Sequence, residues 1–454
     1  MRDKGGEAPS APAPGGGYHL DRDHRRGTAG RPRPARLPDC GATLTGGGVH
    51  VAWCSGCGWN TDPGADAEEE PRGRIERVRR RLARRYGEQL FADLTAAGDD
   101  ATAPAGRGRS GRLAGCLALA VHGLTVTLLA AGLAMILAGT GLVPVLGAIP
   151  VLLAVVLRPR FGSLRKAAAD LPVLRRPDAP ELFGLLDEVA STVGTTGVEA
   201  VVVDTAVNAS VRTYGVRQRR VLTVGLGLWE TLSPQERIAL LGHEFGHYAH
   251  GDTRHGLVVA TAFQSLDTWS YTLAPQESTS LLDDLMNLAT ALPRAAVDGV
   301  AGLLDHLTLR GSQRAEYLAD EAAARAAGSE AAAALMDRLL CAGTLTGMLR
   351  REAIAARTRR GGDRSGDAAE GLWRRLAAQA AAVPATEYER LRRVAELRGH
   401  SVDSTHPPTH LRHRLLTARA SHEPRIALDA ERAARVDAEL GDARRTLARQ
   451  LLNG

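Results

Sequence analysis

His243-Glu244-Phe245-Gly246-His247 sets two imidazoles four residues apart, with a carboxylate directly after the first. On a helix, positions i and i+4 share one face, so both rings can grip a single metal ion. Glu244 then points beside the metal, where it can take a proton from an activated water. The three fixed letters also recur by chance, so the elements that carry them decide the reading.

Ser233-Pro234-Gln235-Glu236 has the form of a capping box with proline at the first helical position. Ile238, Leu241, Phe245 and Tyr248 recur at helical spacing, and Gly251 offers a left-handed stop. The pattern predicts a capped amphipathic helix of about four turns with the motif in its interior. A catalytic zinc needs a third protein ligand and a position left for water. Glu316-Tyr317-Leu318-Ala319-Asp320 opens a second helical stretch that runs through Ala327 and closes at Gly328. Ala315, Ala319, Ala322 and Ala323 would let another helix approach it closely. Glu316 is a candidate third ligand, and Asp320, on the same side, a candidate acceptor for the second N–H of a ligating histidine. Taken alone, a solvated acidic face beside Glu321 accounts for these two residues better.

In order along the chain, several segments resemble the HtpX-like and CAAX-prenyl-protease-like family of membrane zinc metallopeptidases, part of the gluzincin group. Asn208-Ala209-Ser210 is similar to the family's segment before its edge strand, and Val221-Leu222-Thr223-Val224-Gly225-Leu226 to that strand. The helix from Ser233 to Asp252, Glu316-Tyr317-Leu318-Ala319-Asp320, and Thr405-His406-Pro407-Pro408 with Arg412 follow. The match runs from roughly Arg160 to Leu416. The resemblance implies a catalytic Zn2+ on His243, His247 and Glu316, with Asp320 supporting a ligand and Glu244 as general base. It implies His406 or Arg412 near the tetrahedral oxyanion and Asn208 and Ala209 in substrate binding. It also implies an α+β fold: a mainly helical zincin-type metallopeptidase domain whose short sheet offers an edge to an extended peptide. The β-branched runs Val198–Val203 and Arg220–Val224 agree with that, and edge pairing suits unfolded polypeptide or membrane-protein substrates.

From Leu113 to Leu157 there are 45 residues without Asp, Glu, Lys or Arg, enough for two membrane spans of about 20 residues each. The sequence predicts a two-helix transmembrane hairpin over 113–157, turning at Gly139-Thr140-Gly141, with Pro144 and Pro150 weakening the second span. Arg107, Arg109 and Arg112 precede it and Arg158, Arg160, Arg165 and Lys166 follow, so both ends are expected on the cytoplasmic side of the cell membrane. His122 lies within the first span, as a functional group or a packing residue. The apolar stretch 281–309 carries Asp283, Asp284, Arg294, Asp298 and Asp305, which predicts an amphipathic helix pair instead of a span.

Net charge is +6, and eight arginines fall between Arg72 and Arg85, with Ile75, Val78, Leu82 and Tyr86 at helical spacing among them. Over 70–112 this reads as a basic amphipathic helix and linker, bound to an anionic bilayer surface or simply solvated; sparse aromatics argue against nucleic acid. Residues 1–36 are rich in Gly, Pro and Arg and are expected to be disordered. The stretches Gly98–Gly111 and Arg357–Gly366 read as linkers or loop insertions. Residues 421–454 are expected to form a C-terminal helix. Five cysteines in a chain facing a reducing compartment imply no disulfide framework. Cys54-Ser55-Gly56-Cys57-Gly58 is a metal knuckle; Leu37-Pro38-Asp39-Cys40-Gly41 matches the other knuckle with its first cysteine replaced. Residues 37–62 therefore form a degenerate zinc-ribbon-like module, with Cys40, Cys54, Cys57 and His50 as candidate ligands for a second, structural zinc. Loaded and vestigial readings stand level. Cys116 and Cys341 read as packing residues. The sequence favours a membrane-anchored zinc endopeptidase, with the domain spanning 160–420. Its rival is an inactive membrane scaffold recruiting partners through the ribbon and basic helix.

Overall fold

The computed structural model describes residues 40–42, 44, 50–64, 74–97, 109–159, 162–215, 217–249, 256–358, 366–398 and 406–453. The expected tail (1–36), Leu37, the body of both expected linkers, Gly251 and Thr405 lie outside the described residues.

Helix α1 (Arg74–Ala96) carries the arginine run. Its apolar contacts differ from those expected: Val78 is exposed, and Ala83, Gly87, Leu90 and Leu94 are buried instead. These small and apolar residues at i, i+4, i+7 and i+11 form the helix's inner stripe. Two helices follow, α2 (Arg109–Ala138) and α3 (Val143–Leu157), antiparallel, with the turn at the Gly139–Leu142 segment the sequence pointed to. Gly132 and Gly147 permit the close approach: a Cβ on Gly132 would lie 2.8 Å from the Gly147 carbonyl oxygen. Of the described helices, α2 alone is by itself long and apolar enough to cross a membrane. At 15 residues, α3 extends only about 22 Å. Cys116 on α2 is exposed and Cys341 buried, so packing accounts for the second only.

After the short α4 (Leu164–Ala167) comes the sheet: β1 (Val173–Leu174), then helix α5 (Pro180–Val193), then β2 (Ala200–Asp204), β3 (Ala209–Tyr214) and β4 (Arg219–Gly225). Strand order is β1-β2-β4-β3, with β2 and β4 parallel and the outer pairs antiparallel. Period-2 alternation splits the strands cleanly. Val201, Val203, Val211, Leu222 and Val224 enter the main core, while Ala200, Val202 and Val221 face α4. The exposed edge beside the motif helix is therefore β3. The sequence expectation had set the Val221–Leu226 strand at the edge; the parallel pairing of β2 with β4 puts it inside.

Next in the chain are α6 (Leu226–Trp229), α7 (Pro234–Ala249), α8 (Leu257–Thr272) and α9 (Leu281–Ala327). The expected helix pair over 281–309 is instead the first half of α9, a single 47-residue helix. The stretch expected to open at Glu316 is its last third. Ser280 caps α9 by accepting from the Asp283 N–H, and the helix continues through Pro293. His122 packs as a structural residue, its Nε2 lying 3.1 Å from Thr261 Oγ1 and 3.0 Å from the Val258 carbonyl of α8.

The remaining helices are α10 (Ser329–Leu340), α11 (Ala342–Thr358), α12 (Gly366–Ala381), α13 (Ala385–Arg398), α14 (Thr409–Ala418), α15 (Ala430–Glu439) and α16 (Gly441–Asn453). Residues 421–454 thus hold two helices instead of one, broken at Leu440. They join the central core through Val436, Leu440, Ala443 and Leu447. The Glu439 carboxylate accepts from the Glu181 and Leu182 N–H groups at 2.9 and 2.8 Å, satisfying the open start of α5. The protein is mostly helical with one small mixed sheet.

Candidate active site

Helix α7 begins as its sequence indicates. The Ser233 N–H donates to Glu236 Oε2 at 2.6 Å and the Glu236 N–H to Ser233 Oγ at 3.3 Å. Its buried face then meets the last third of α9 at very short range. A Cβ on Gly246 would lie 2.8 Å from the Ala319 Cα, and one on Gly242 would lie 3.0 Å from the Ala323 Cα. Only glycine facing alanine allows this approach. These two glycines, not singled out from the sequence, are what bring α7 and α9 together; Gly242 and Gly246 at i, i+4 opposite Ala319 and Ala323 were the available signal.

At that crossing the imidazoles of His243 and His247 are edge-to-face, with their Nε2 atoms 3.3 Å apart. Glu316 presents Oε2 at 3.6 Å from His243 Nε2 and Oε1 at 3.6 Å from His247 Nε2. Tetrahedral zinc with bonds of about 2.0–2.2 Å holds its donor atoms about 3.3–3.6 Å apart, so these spacings fit the ion. A second observation agrees. Glu316 Oε2 is buried and accepts no hydrogen bond among the described residues; Arg412 Nη1 faces it only at 3.5 Å, which leaves the oxygen able to take a metal ion.

Behind the ligands, Asp320 Oδ1 lies 3.0 Å from His243 Nδ1, positioned to fix the ring with Nε2 facing the cluster. Arg412 closes the back. Its Nε and Nη2 donate to the two Asp320 oxygens at 2.7 and 2.6 Å, and Nη1 stands 3.5 Å from Glu316 Oε2. Burial pushes the Asp320 carboxyl up, but the Arg412 guanidinium and His243 outweigh it and hold the group well below the usual carboxylate range. Arg412 is only 1% exposed, with Nε and Nη2 both engaged by Asp320.

Glu244 is half-buried on the other side. It accepts the Val211 N–H of β3 at 3.1 Å, which ties the carboxylate to the edge strand. Burial raises its pKa above the usual carboxylate range, partly offset by His243. His406 lies at the mouth, with Nε2 3.1 Å from Glu316 Oε1. Asn208 and Ala209 lie at the start of β3, where the Asn208 carbonyl accepts the Gly225 N–H and Ala209 pairs with Val224.

Two neighbours of the site were not legible beforehand. The inner stripe of α1 packs on α9 and α14: Leu90 and Leu94 meet Tyr317 and Leu415, and Gly87 meets Pro407 and Pro408. Arg79 and Asp305 pair at 2.8 Å, and Gln313 donates to the Ala83 carbonyl. The apolar side of α1 is therefore packed on α9 and α14, with its arginines on the other faces. The ribbon brings Cys40, Cys54 and Cys57 together, but His50 does not join that cluster.

Comparison with known proteins agrees with this geometry. Over 162 residues the chain is 34% identical to a protease HtpX homolog of Pyrobaculum calidifontis, covering 34% of this chain and 45% of that protein. HtpX homologs of Pyrobaculum islandicum and Pyrobaculum aerophilum are each 32% identical over 163 residues. The chain thus spans less than half the length of the curated relatives it matches. No solved structure was found to match it. The model of peptidase family M48 matches residues 179–420, just over half the chain and the whole of the site described, and the chain belongs to that family of HtpX-like metallopeptidases.

Proposed function

We propose that the protein is a membrane-anchored, zinc-dependent endopeptidase that hydrolyses peptide bonds of protein substrates on the cytoplasmic side. One observation supports this reading: the donor atoms of His243, His247 and Glu316 converge at tetrahedral spacing, with the Glu244 carboxylate next in the chain to His243 and held by the Val211 N–H. His243, His247 and Glu316 would hold the ion, and zinc there supplies a Lewis acid for the peptide carbonyl and for water.

The chain's own residues do the rest. Glu244 accepts a proton from the attacking water as its oxygen bonds to the carbonyl carbon, then delivers that proton to the leaving amine as the C–N bond breaks. The Val211 N–H fixes the carboxylate so that it moves little between the two transfers. An extended substrate pairs with the outer edge of β3, which places its backbone along the motif helix and asks little of its side chains. Asn208 and Ala209 flank that edge. His406, whose Nε2 lies 3.1 Å from Glu316 Oε1, is the residue of this set we assign as donor to the developing oxyanion. Asp320 and Arg412 hold His243 and Glu316 in place.

The membrane part of the proposal rests on α2, α3 and their neighbours. Leu119, Val126, Leu137, Val145, Ile149 and Leu152 all point outward, an exposed apolar band too large for a water-facing surface. Basic residues at the start of α2 and after α3 support a reading with both ends on the cytoplasmic side. The test is to purify the protein in detergent beside Glu244→Gln, measure metal content, and follow casein cleavage. Glu244→Gln should keep its catalytic zinc and lose turnover by orders of magnitude; cleavage at the parental rate would refute the reading.

A further inference from the structure

Outside the active site, the most developed cluster of metal-ligating groups is in the ribbon. Cys40, Cys54 and Cys57 lie with their sulfurs within 4.8 Å of one another, Cys40 Sγ and Cys54 Sγ being 3.8 Å apart. The loop that holds Cys54 and Cys57 is tightly hydrogen-bonded. The Cys57 N–H points at Cys54 Sγ at 3.5 Å, the Gly58 N–H donates to the Cys54 carbonyl, and the Cys54 N–H donates to the Trp59 carbonyl. Gly58 takes φ 73° and Asn60 φ 54°, and the Asn60 side chain closes the turn on the Ala52 carbonyl at 2.7 Å. A turn needing two left-handed residues and converging three sulfurs has little apolar core to sustain it; Trp53 is its one large buried side chain.

That tryptophan is buried under α13. The Arg393 guanidinium stacks 4.9 Å from the Trp53 ring and donates to the Ser55 carbonyl at 2.6 Å. Arg390, forked on Glu387, donates to the Thr61 carbonyl at 2.8 Å, and Arg398 Nε donates to Asp62 Oδ2 at 2.6 Å. Every acceptor on the ribbon side lies in the segment 53–62 that the three cysteines fold. α13 is also the last described helix before His406 in the chain.

We propose that Cys40, Cys54 and Cys57 form a second metal site, taking a thiophilic divalent cation such as zinc, and that this metal keeps residues 50–64 docked on α13. Three thiolates supply the soft donors zinc prefers, and among the described residues no fourth ligand joins them, which leaves a position for water or a small thiol. The metal replaces the core this segment lacks; once folded, it presents its carbonyls and Asp62 to the three arginines. The site stands independently of the reaction assigned to His243, His247 and Glu316.

The experiment uses the full-length protein in detergent. Metal is counted by mass spectrometry in the parent, in Cys54→Ser/Cys57→Ser and in Glu316→Ala, with hydrogen exchange followed over 385–398. The parent should hold two zinc equivalents, and each variant should lose a different one. Cobalt substitution should give a thiolate-to-metal charge-transfer band that the double serine variant lacks. Exchange over α13 should quicken in the double serine variant. It should quicken too in Arg393→Ala/Arg398→Ala, which leaves every sulfur in place and should retain the metal and its band. Unchanged metal content in the double serine variant overturns the site. Unchanged exchange over α13 in both double variants overturns the docking role.

Discussion

Replacing Gly246 by alanine tests whether the close approach of α7 and α9 is what builds the metal centre. An added Cβ would meet the Ala319 Cα at 2.8 Å, the Ala322 Cβ at 3.1 Å and the Ala319 Cβ at 3.2 Å. Carbon atoms rest about 3.5–4.0 Å apart, so α7 must withdraw by about 0.7 Å or more. Two stability effects then oppose. Overpacking costs about 1–3 kcal/mol, and the helical preference of alanine over glycine returns about 1 kcal/mol. The net loss is about 0–2 kcal/mol, so the protein should still fold. The metal centre is far less tolerant, since ligand distances must hold within about 0.2 Å. His243 and His247 are on the helix that moves and Glu316 on the one that stays, so the displacement falls directly on their spacing. Zinc affinity, measured by competition with a chromophoric chelator, should drop at least about 10-fold while helical content stays parental. Gly184→Ala is the control: it has open space around its Cβ, on the exposed side of α5, and should bind zinc as the parent does. Parental zinc affinity in Gly246→Ala would refute the reasoning.

Asp320→Ala leaves His243 Nδ1 without its acceptor and removes the carboxylate paired with the buried Arg412, which keeps only Glu316 Oε2 at 3.5 Å. Breaking a buried pair of this kind costs about 3–5 kcal/mol, and zinc affinity should fall about 10- to 100-fold, both readable by thermal melts with and without added zinc. Leu90→Ala opens a cavity between α1 and Tyr317 and should cost about 2–5 kcal/mol by chemical unfolding; a neutral result would mean that α1 is not docked on α9 and α14. Reporter fusions after Ser110 and after Arg165 should both read as cytoplasmic, and opposite sides would leave a single span with an external catalytic domain.

The parts of the site legible in the sequence were those fixed by local geometry. A capping box and the period of a helix place His243, Glu244 and His247 relative to one another without any tertiary information, and Glu316 and Asp320 are likewise tied by one turn. What could not be read is set by contacts between distant segments. The edge strand depends on β4 pairing with β2 across the intervening β3, so a β-branched run that reads as an edge becomes interior. The charges at Asp283, Asp284, Arg294, Asp298 and Asp305 argued for an amphipathic helix pair over 281–309. α9 instead stays whole, with Asp305 answered by Arg79 from α1 and Asp298 by Ser270 of α8. The arginine-rich α1 has two candidate stripes, and the one that packs is the stripe with Gly87, because Pro407 and Pro408 come close there. The burial of Arg412 against Asp320 is likewise not revealed by its sequence position.

The measurement that reaches the central proposal most directly is zinc X-ray absorption on Cys54→Ser/Cys57→Ser, with peptide cleavage followed on the same sample. Removing the ribbon sulfurs leaves the His243, His247 and Glu316 centre to report alone. The spectrum should show one zinc equivalent with nitrogen and oxygen neighbours at about 2.0–2.2 Å and no sulfur shell at about 2.3 Å, and a chelator that strips this zinc should abolish cleavage. Cleavage that persists in the metal-free protein, or a remaining zinc bound by sulfur, would contradict the account.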